Sequence, residues 1–141
     1  MVYLLLILYQ AKHFLADFPL QTQYMLGKFK KSPNFILPLL AHVAVHGMGT
    51  FLIASYFKPK SAFWLALLDM SVHFVVDRIK ASPTLGGRWK ALTKDTYAAA
   101  VQANDQDALK GNTYFWFALG TDQLAHHLTH YFIIWRLLTN N

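Results

Sequence analysis

Four apolar runs separated by short polar connections dominate the chain. The first extends from Met1 to about Phe18 around Leu4, Leu5, Leu6, Ile7 and Leu8. Pro19 bends or ends it, because proline disfavours helical geometry at the residue before it. The second, Asn34 to Phe57, carries Pro38 in its first turns, where a missing N–H is tolerated. The third, Ser61 to about Ile79, follows a tight connection at Lys58, Pro59 and Lys60 and closes on Arg78 and Lys80. The fourth, Thr113 to Leu138, is closed by Arg136. At ~1.5 Å per residue, each run is long enough to cover the ~30 Å of a bilayer's hydrocarbon. The pattern predicts an all-α, four-helix transmembrane bundle with helices near 2–20, 34–57, 61–80 and 113–138. Residues 1–141 then form a single integral membrane domain. The opening segment lacks a basic n-region and a small-residue cleavage site, so it is expected to be retained.

Inside the runs the polar residues follow a period of four. His13 is followed by Asp17, His42 by His46, Asp69 by His73 and Asp77, and Asp122 by His126 and His130. Four residues are about 400° of helix rotation, so each set projects from nearly one face. These are six Asp/His pairs, where random placement gives roughly 1.4. His127 lies about 100° from its neighbours and reads as a helix-contact or interfacial residue rather than a ligand.

Composition sharpens this picture. The chain is 55% apolar and 14% charged, low for a soluble domain, and has no cysteine, which excludes disulfides and thiolate metal sites. There is no glutamate, and four of the seven aspartates lie within the apolar runs. The net charge of +6 does not point to nucleic acid, because the basic residues mostly fall between the runs. A soluble, carboxylate-bridged four-helix bundle would carry a charged outer face on every helix. Here Leu, Phe, Val, Ile, Ala and Trp surround the polar positions. Lys28, Lys30, Lys31, Arg78, Lys80, Arg88, Lys90, Lys94 and Lys110 lie on one side of the bundle, and Lys58, Lys60 and Arg136 on the other. That bias puts both termini outside and the first and third loops in the cytoplasm. Trp64, Trp116 and Trp135, near run ends, read as interfacial anchors. In the loop 82–112, a helical stretch from Trp89 to Leu109 is expected. It either lies on the membrane surface through Trp89, Leu92 and Tyr97, with Arg88, Lys90 and Lys94 near the headgroups, or is simply solvated.

Antiparallel helices bring these sets to similar depth. Counted from the run ends, His13, His42, His73 and Asp122 share a level, with Asp17 and Asp77 a turn nearer the cytoplasm and His46, Asp69 and His126 a turn deeper. Ionisable groups at such depth are paired, hydrated or metal-bound. Imidazole with carboxylate is a ligand set for zinc, and also for iron or manganese, and the number of candidates suits one or two divalent ions. The expected ligands are His13, His42, His46, His73, Asp122, His126 and His130, with Asp17 or Asp77 as general base. Lys12, unusually deep, either snorkels, lines a wet cavity or, like Arg78, meets a phosphate. Asp17, Asp77 and Asp122 are each expected within reach of a histidine on another helix. The competing reading is that Asp–His hydrogen bonds simply hold the helices together.

The segments His13-Phe-Leu-Ala-Asp17-Phe-Pro-Leu-Gln21-Thr, Leu40-Ala-His42-Val-Ala-Val-His46, His73-Phe-Val-Val-Asp77-Arg-Ile-Lys80 and Asp122-Gln123-Leu-Ala-His126 resemble the DUF3307 family. The resemblance implies a small multi-span protein of the bacterial inner membrane, of bacterial or phage origin, and no settled activity. A looser similarity, by analogy, is to small inner-membrane metal-dependent hydrolases. The function expected first is a metal-dependent hydrolase acting on a lipid or lipid-linked substrate at the cytoplasmic leaflet; the alternatives are a proton or divalent-metal transporter or channel, and a non-catalytic phage module binding a host membrane partner. Membrane lipids are the common partner, and four short helices around a polar core make a homo-oligomer plausible.

Overall fold

The computed structural model describes residues 1–30, 33–82, 94–109 and 111–139, with side chains described for all of these except 94, 95 and 111–115. Among the described residues the chain is all-α. Helix α1 (Val2–Asp17) stops at Phe18, short of the expected residue 20, because Pro19 cannot continue the ladder. Thr22 Oγ1 then accepts from the Met25 N–H at 3.4 Å, opening a 3-10 turn over Met25–Phe29. Helix α2 (Ile36–Phe57) has Pro38 in its first turn, and α3 (Pro59–Ala81) has proline at its first position, where the lost N–H had no helical partner. The expected helical stretch in the third loop is two pieces, α4 (Lys94–Gln102) and α5 (Gln106–Leu109). They are parted at Asn104, whose φ of 51° is a left-handed conformation that asparagine tolerates. Asp105 Oδ1 caps the second piece by accepting from the Ala108 N–H at 3.0 Å. Tyr97 is exposed on α4, whereas Arg88, Trp89, Lys90 and Leu92 lie outside the described residues. Helix α6 (Gly111–Leu138) completes the chain.

Long-range pairings give the topology. On α2 and α3, Thr50 meets Asp69 and His42 faces Asp77, so these neighbours run antiparallel. The same reversal relates α3 to α6, through Asp69 with His130 and Lys80 with Asp122, and α1 to α2, through Asp17 with His46 and Lys12 across Gly49. The long helices α1, α2, α3 and α6 therefore form an up-down-up-down bundle. A Cβ on Gly47 would lie 2.3 Å from Met70 Cγ, so glycine is what lets α2 and α3 approach closely there. Lys58, in the one-residue connection between them, donates to the carbonyls of Arg136 (3.2 Å) and Thr139 (2.7 Å) and caps the end of α6. The apolar core, Leu5, Tyr9, Ala54, Ala62, Leu65, Ile133, Ile134 and Leu137, fills the end of the bundle that holds both termini.

By length and composition, α2 alone qualifies as a membrane span among the described residues. The expectation of four spans is thus matched in its four long helices, and a four-helix transmembrane bundle is not established. Helix α1 has only 16 residues, and α3 and α6 give up apolarity to the ionisable and imidazole side chains that line the bundle.

Candidate metal centre

The spacing of four does what it promised within each helix. His13 on α1, His42, His46 and Thr50 on α2, Asp69, His73 and Asp77 on α3, and Asp122, His126 and His130 on α6 are all buried, while Asp17, one turn on from His13, is half-buried with 21% of its side chain exposed. Because the helices alternate in direction, these stripes close on one another and stack in three levels.

The deepest level lies against the apolar end. Asp69, fully buried, accepts from Lys12 Nζ at 2.6 Å and from Thr50 Oγ1 at 2.6 Å. His130 Nε2 is 3.2 Å from the same lysine and 3.5 Å from Asp69 Oδ1. Above it, the rings of His13, His46, His73 and His126 pack together, His73 stacking on His126 with centroids 3.9 Å apart and lying 4.0 Å from His46. His73 Nδ1 is 3.0 Å from the Asp69 carbonyl oxygen, which places its proton on that nitrogen and leaves Nε2 buried without a hydrogen-bond partner. Nearest the loops are the remaining carboxylates. Asp17 Oδ1 is 3.1 Å from His46 Nε2 and 3.5 Å from His42 Nε2, and Asp17 Oδ2 is 3.2 Å from His13 Nε2. Asp77 accepts from Lys28 at 2.9 Å and lies 3.0 Å from His42 Nε2 and 3.1 Å from His126 Nε2. Asp122 accepts from Lys80 at 2.6 Å and from Gln123 Nε2 at 3.1 Å.

Three groups have ligand atoms close enough together to hold an ion: His13, His73 and His130; Asp17, His42 and His46; and Asp77, Asp122 and His126, each within 4.8 Å. All seven expected ligands and both expected general bases fall within these groups. Asp17 and Asp77 stand among the histidines rather than behind them. His127 belongs to none of the groups; its ring lies 5.9 Å from that of His13 and 6.4 Å from that of Tyr131.

Other expectations change. Asp17 and Asp77 do reach histidines of other helices, but the cross-helix partner of Asp122 is Lys80, and its histidine, His126, is on its own helix. The levels are off by one turn: His46, not His42, is level with His73. Counting from run ends assumed that all helices reach one plane, whereas the one-residue turn at Lys58 sets the register of α2 on α3. Neither Lys12 nor Arg78 is disposed for phosphate. Lys12 is bound to Asp69, and Arg78 stacks over Phe35 at 3.5 Å and donates to the carbonyls of Lys28 and Lys30. Lys28, counted among the loop charges, is turned into the bundle. Thr50, which extends the His42–His46 period by one more step, and Asp69 were legible as members of the stripes. Lys28 and Gln123 carried no comparable signal.

Fold and site together define an all-α bundle whose buried His/Asp groups can hold metal ions. The family model described as a protein of unknown function, DUF3307, matches residues 2–141, essentially the whole chain, and the protein belongs to that family. No curated protein and no solved structure matches it.

Proposed function

We propose that this is a bacterial inner-membrane protein that binds a divalent metal, zinc by its ligand set, in the buried centre. On this reading it hydrolyses a lipid or lipid-linked substrate reached from the cytoplasmic face. The membrane placement is supported by a bundle that is polar inside and apolar outside. Ile7, Phe14, Leu37, Leu52, Phe63, Val75, Leu128 and Trp135, drawn from all four long helices, are exposed. So large an apolar surface needs lipid or protein against it. Exposed Trp64, Trp116 and Trp135 suit interfacial anchoring.

The observation that carries the functional reading is that the polar centre is closed at one end and approachable at the other. Leu5, Tyr9, Leu65 and Ile133 seal the terminal end, whereas the Asp17 and Lys80 side chains, at the loop end, keep 21% and 28% of their surface. A one-sided site suits a substrate that enters and leaves by the same face, and suits a through-path for ions less well. A metal held there would lower the pKa of a bound water towards ~7. Asp17 and Asp77 flank His42 Nε2 and are the carboxylates this reading assigns as general base.

Protein purified in detergent and analysed by mass spectrometry is expected to retain a divalent metal against chelator, to lose it in His46→Ala and to keep it in His127→Ala. The metal-loaded protein is expected to release a hydrolysis product from lipid substrates. Weak, exchangeable metal with no hydrolysis would favour transport, and no metal at all would favour a structural module. Orientation is checked separately. The chain has no cysteine, so Tyr3→Cys, at an exposed position, is the sole labelling site. It is expected to react with impermeant maleimide from the outside; reaction only from the cytoplasm reverses the topology.

A further inference from the structure

The three groups are not equivalent, because lysines already occupy two of them. Lys12 Nζ lies 2.6 Å from Asp69 and 3.2 Å from His130 Nε2, inside the group that includes His13 and His73. Lys28 and Lys80 take Asp77 and Asp122, at 2.9 and 2.6 Å, in the group that includes His126. Four carboxylates line the centre and three ammonium groups bind one each, which leaves the fourth, Asp17. Among the described residues no lysine or arginine forms an ion pair with it; its neighbours are three imidazoles.

Resting on the metal reading above, we propose that the centre takes one divalent cation, bound by Asp17, His42 and His46 with His13 beside them. Lys12, Lys28 and Lys80 act as internal cations that close the other two groups to metal. Four features support the assignment. The first is charge: an ion entering either lysine-filled group would have to displace an ammonium held by a short bond, since two cations cannot share one carboxylate without repulsion. The second is distance. A tetrahedral ion with bonds of ~2.0–2.1 Å sets its ligand atoms about 3.3 Å apart. The separations of Asp17 oxygens from His46, His13 and His42 Nε2 are 3.1, 3.2 and 3.5 Å. The third is His42 itself: it is wholly buried, and neither ring nitrogen makes a hydrogen bond, although Nε2 faces Asp17 and Asp77. Such a nitrogen lacks a partner that an ion would supply. The last is access, since Asp17 is the only one of the four carboxylates with more than a few per cent of its side chain exposed. With Asp17 as ligand, Asp77 is left as the general base.

The test is a Zn²⁺ titration of chelator-stripped protein in detergent. Wild type is expected to bind one equivalent. Asp17→Asn should weaken binding by at least about 100-fold, a loss at the upper end of that seen when metal-site partners are removed. Asp122→Asn should leave it unchanged. Lys12→Met should raise the capacity to two equivalents, because Asp69, His130 and the unpartnered Nε2 of His73 become available to an ion. If Lys12→Met does not fold, the uncharged double variant Lys12→Met/Asp69→Asn is used. It should fold and still bind one equivalent, and its binding should be abolished by adding Asp17→Asn. Two or more equivalents in wild type overturns the proposal. So does a single equivalent that survives Asp17→Asn, and in that case the metal reading itself stands. No zinc binding in wild type overturns both.

Discussion

Asp77→Ala is expected to lower the stability of the metal-free protein by about 3–5 kcal/mol, the range for removing one partner of a buried ion pair. Asp77 is shared by four elements, as Asp69 is. It holds Lys28 from the 3-10 turn, faces His42 on α2 and meets His126 on α6, while its own helix is α3. Alanine leaves the Lys28 ammonium, only 5% exposed, with no anion beside it. In thermal unfolding in detergent the midpoint should fall by roughly 10 °C or more for a chain of this length. Adding Lys28→Met to Asp77→Ala should recover most of the loss, because the stranded charge is then gone. A fall of under ~0.5 kcal/mol, the size of an ordinary surface change, would mean that Asp77 and Lys28 are not a buried pair.

The second large effect belongs to Lys12 and Asp69, which join α1 to α3 across the middle of the bundle. Lys12→Met keeps the alkyl stem lying across Gly49, where a Cβ would come 2.6 Å from Lys12 Cγ, and deletes only the charge. Under chelator, Lys12→Met and Asp69→Asn are each expected to cost about 3–5 kcal/mol, since each leaves one charge buried without its partner. The double variant should be more stable than either single one, with a coupling of about 2 kcal/mol or more, measured in a double-mutant cycle. Additive losses would show that the two charges do not interact.

The aspartates and histidines were legible in the chain because their signal is local. A helix repeats its face nearly every four residues, so Asp69, His73 and Asp77 announce a common stripe without any knowledge of what they face. The same locality made the four long helices readable, along with the stop at Pro19. Which stripe meets which was not local. A register error of one turn is invisible in sequence, and it moved His46, rather than His42, to the level of His73.

The lysines mark the boundary most clearly. Lys12 registered only as an unusual charge in an apolar run, Lys28 as one of several loop charges and Lys80 as a helix-end charge. Each has a long flexible stem that lets its ammonium swing outward to solvent or inward to a carboxylate, and nothing in the neighbouring residues selects between the two. The partners are 57, 49 and 42 residues away. The sequence by itself therefore determined four helices and the polar stripe on each. The tertiary structure alone decided that, among the described residues, three of the four carboxylates lining the centre hold lysines and Asp17 is left to the histidines, because only the packed bundle brings charges so distant in the chain within hydrogen-bonding reach.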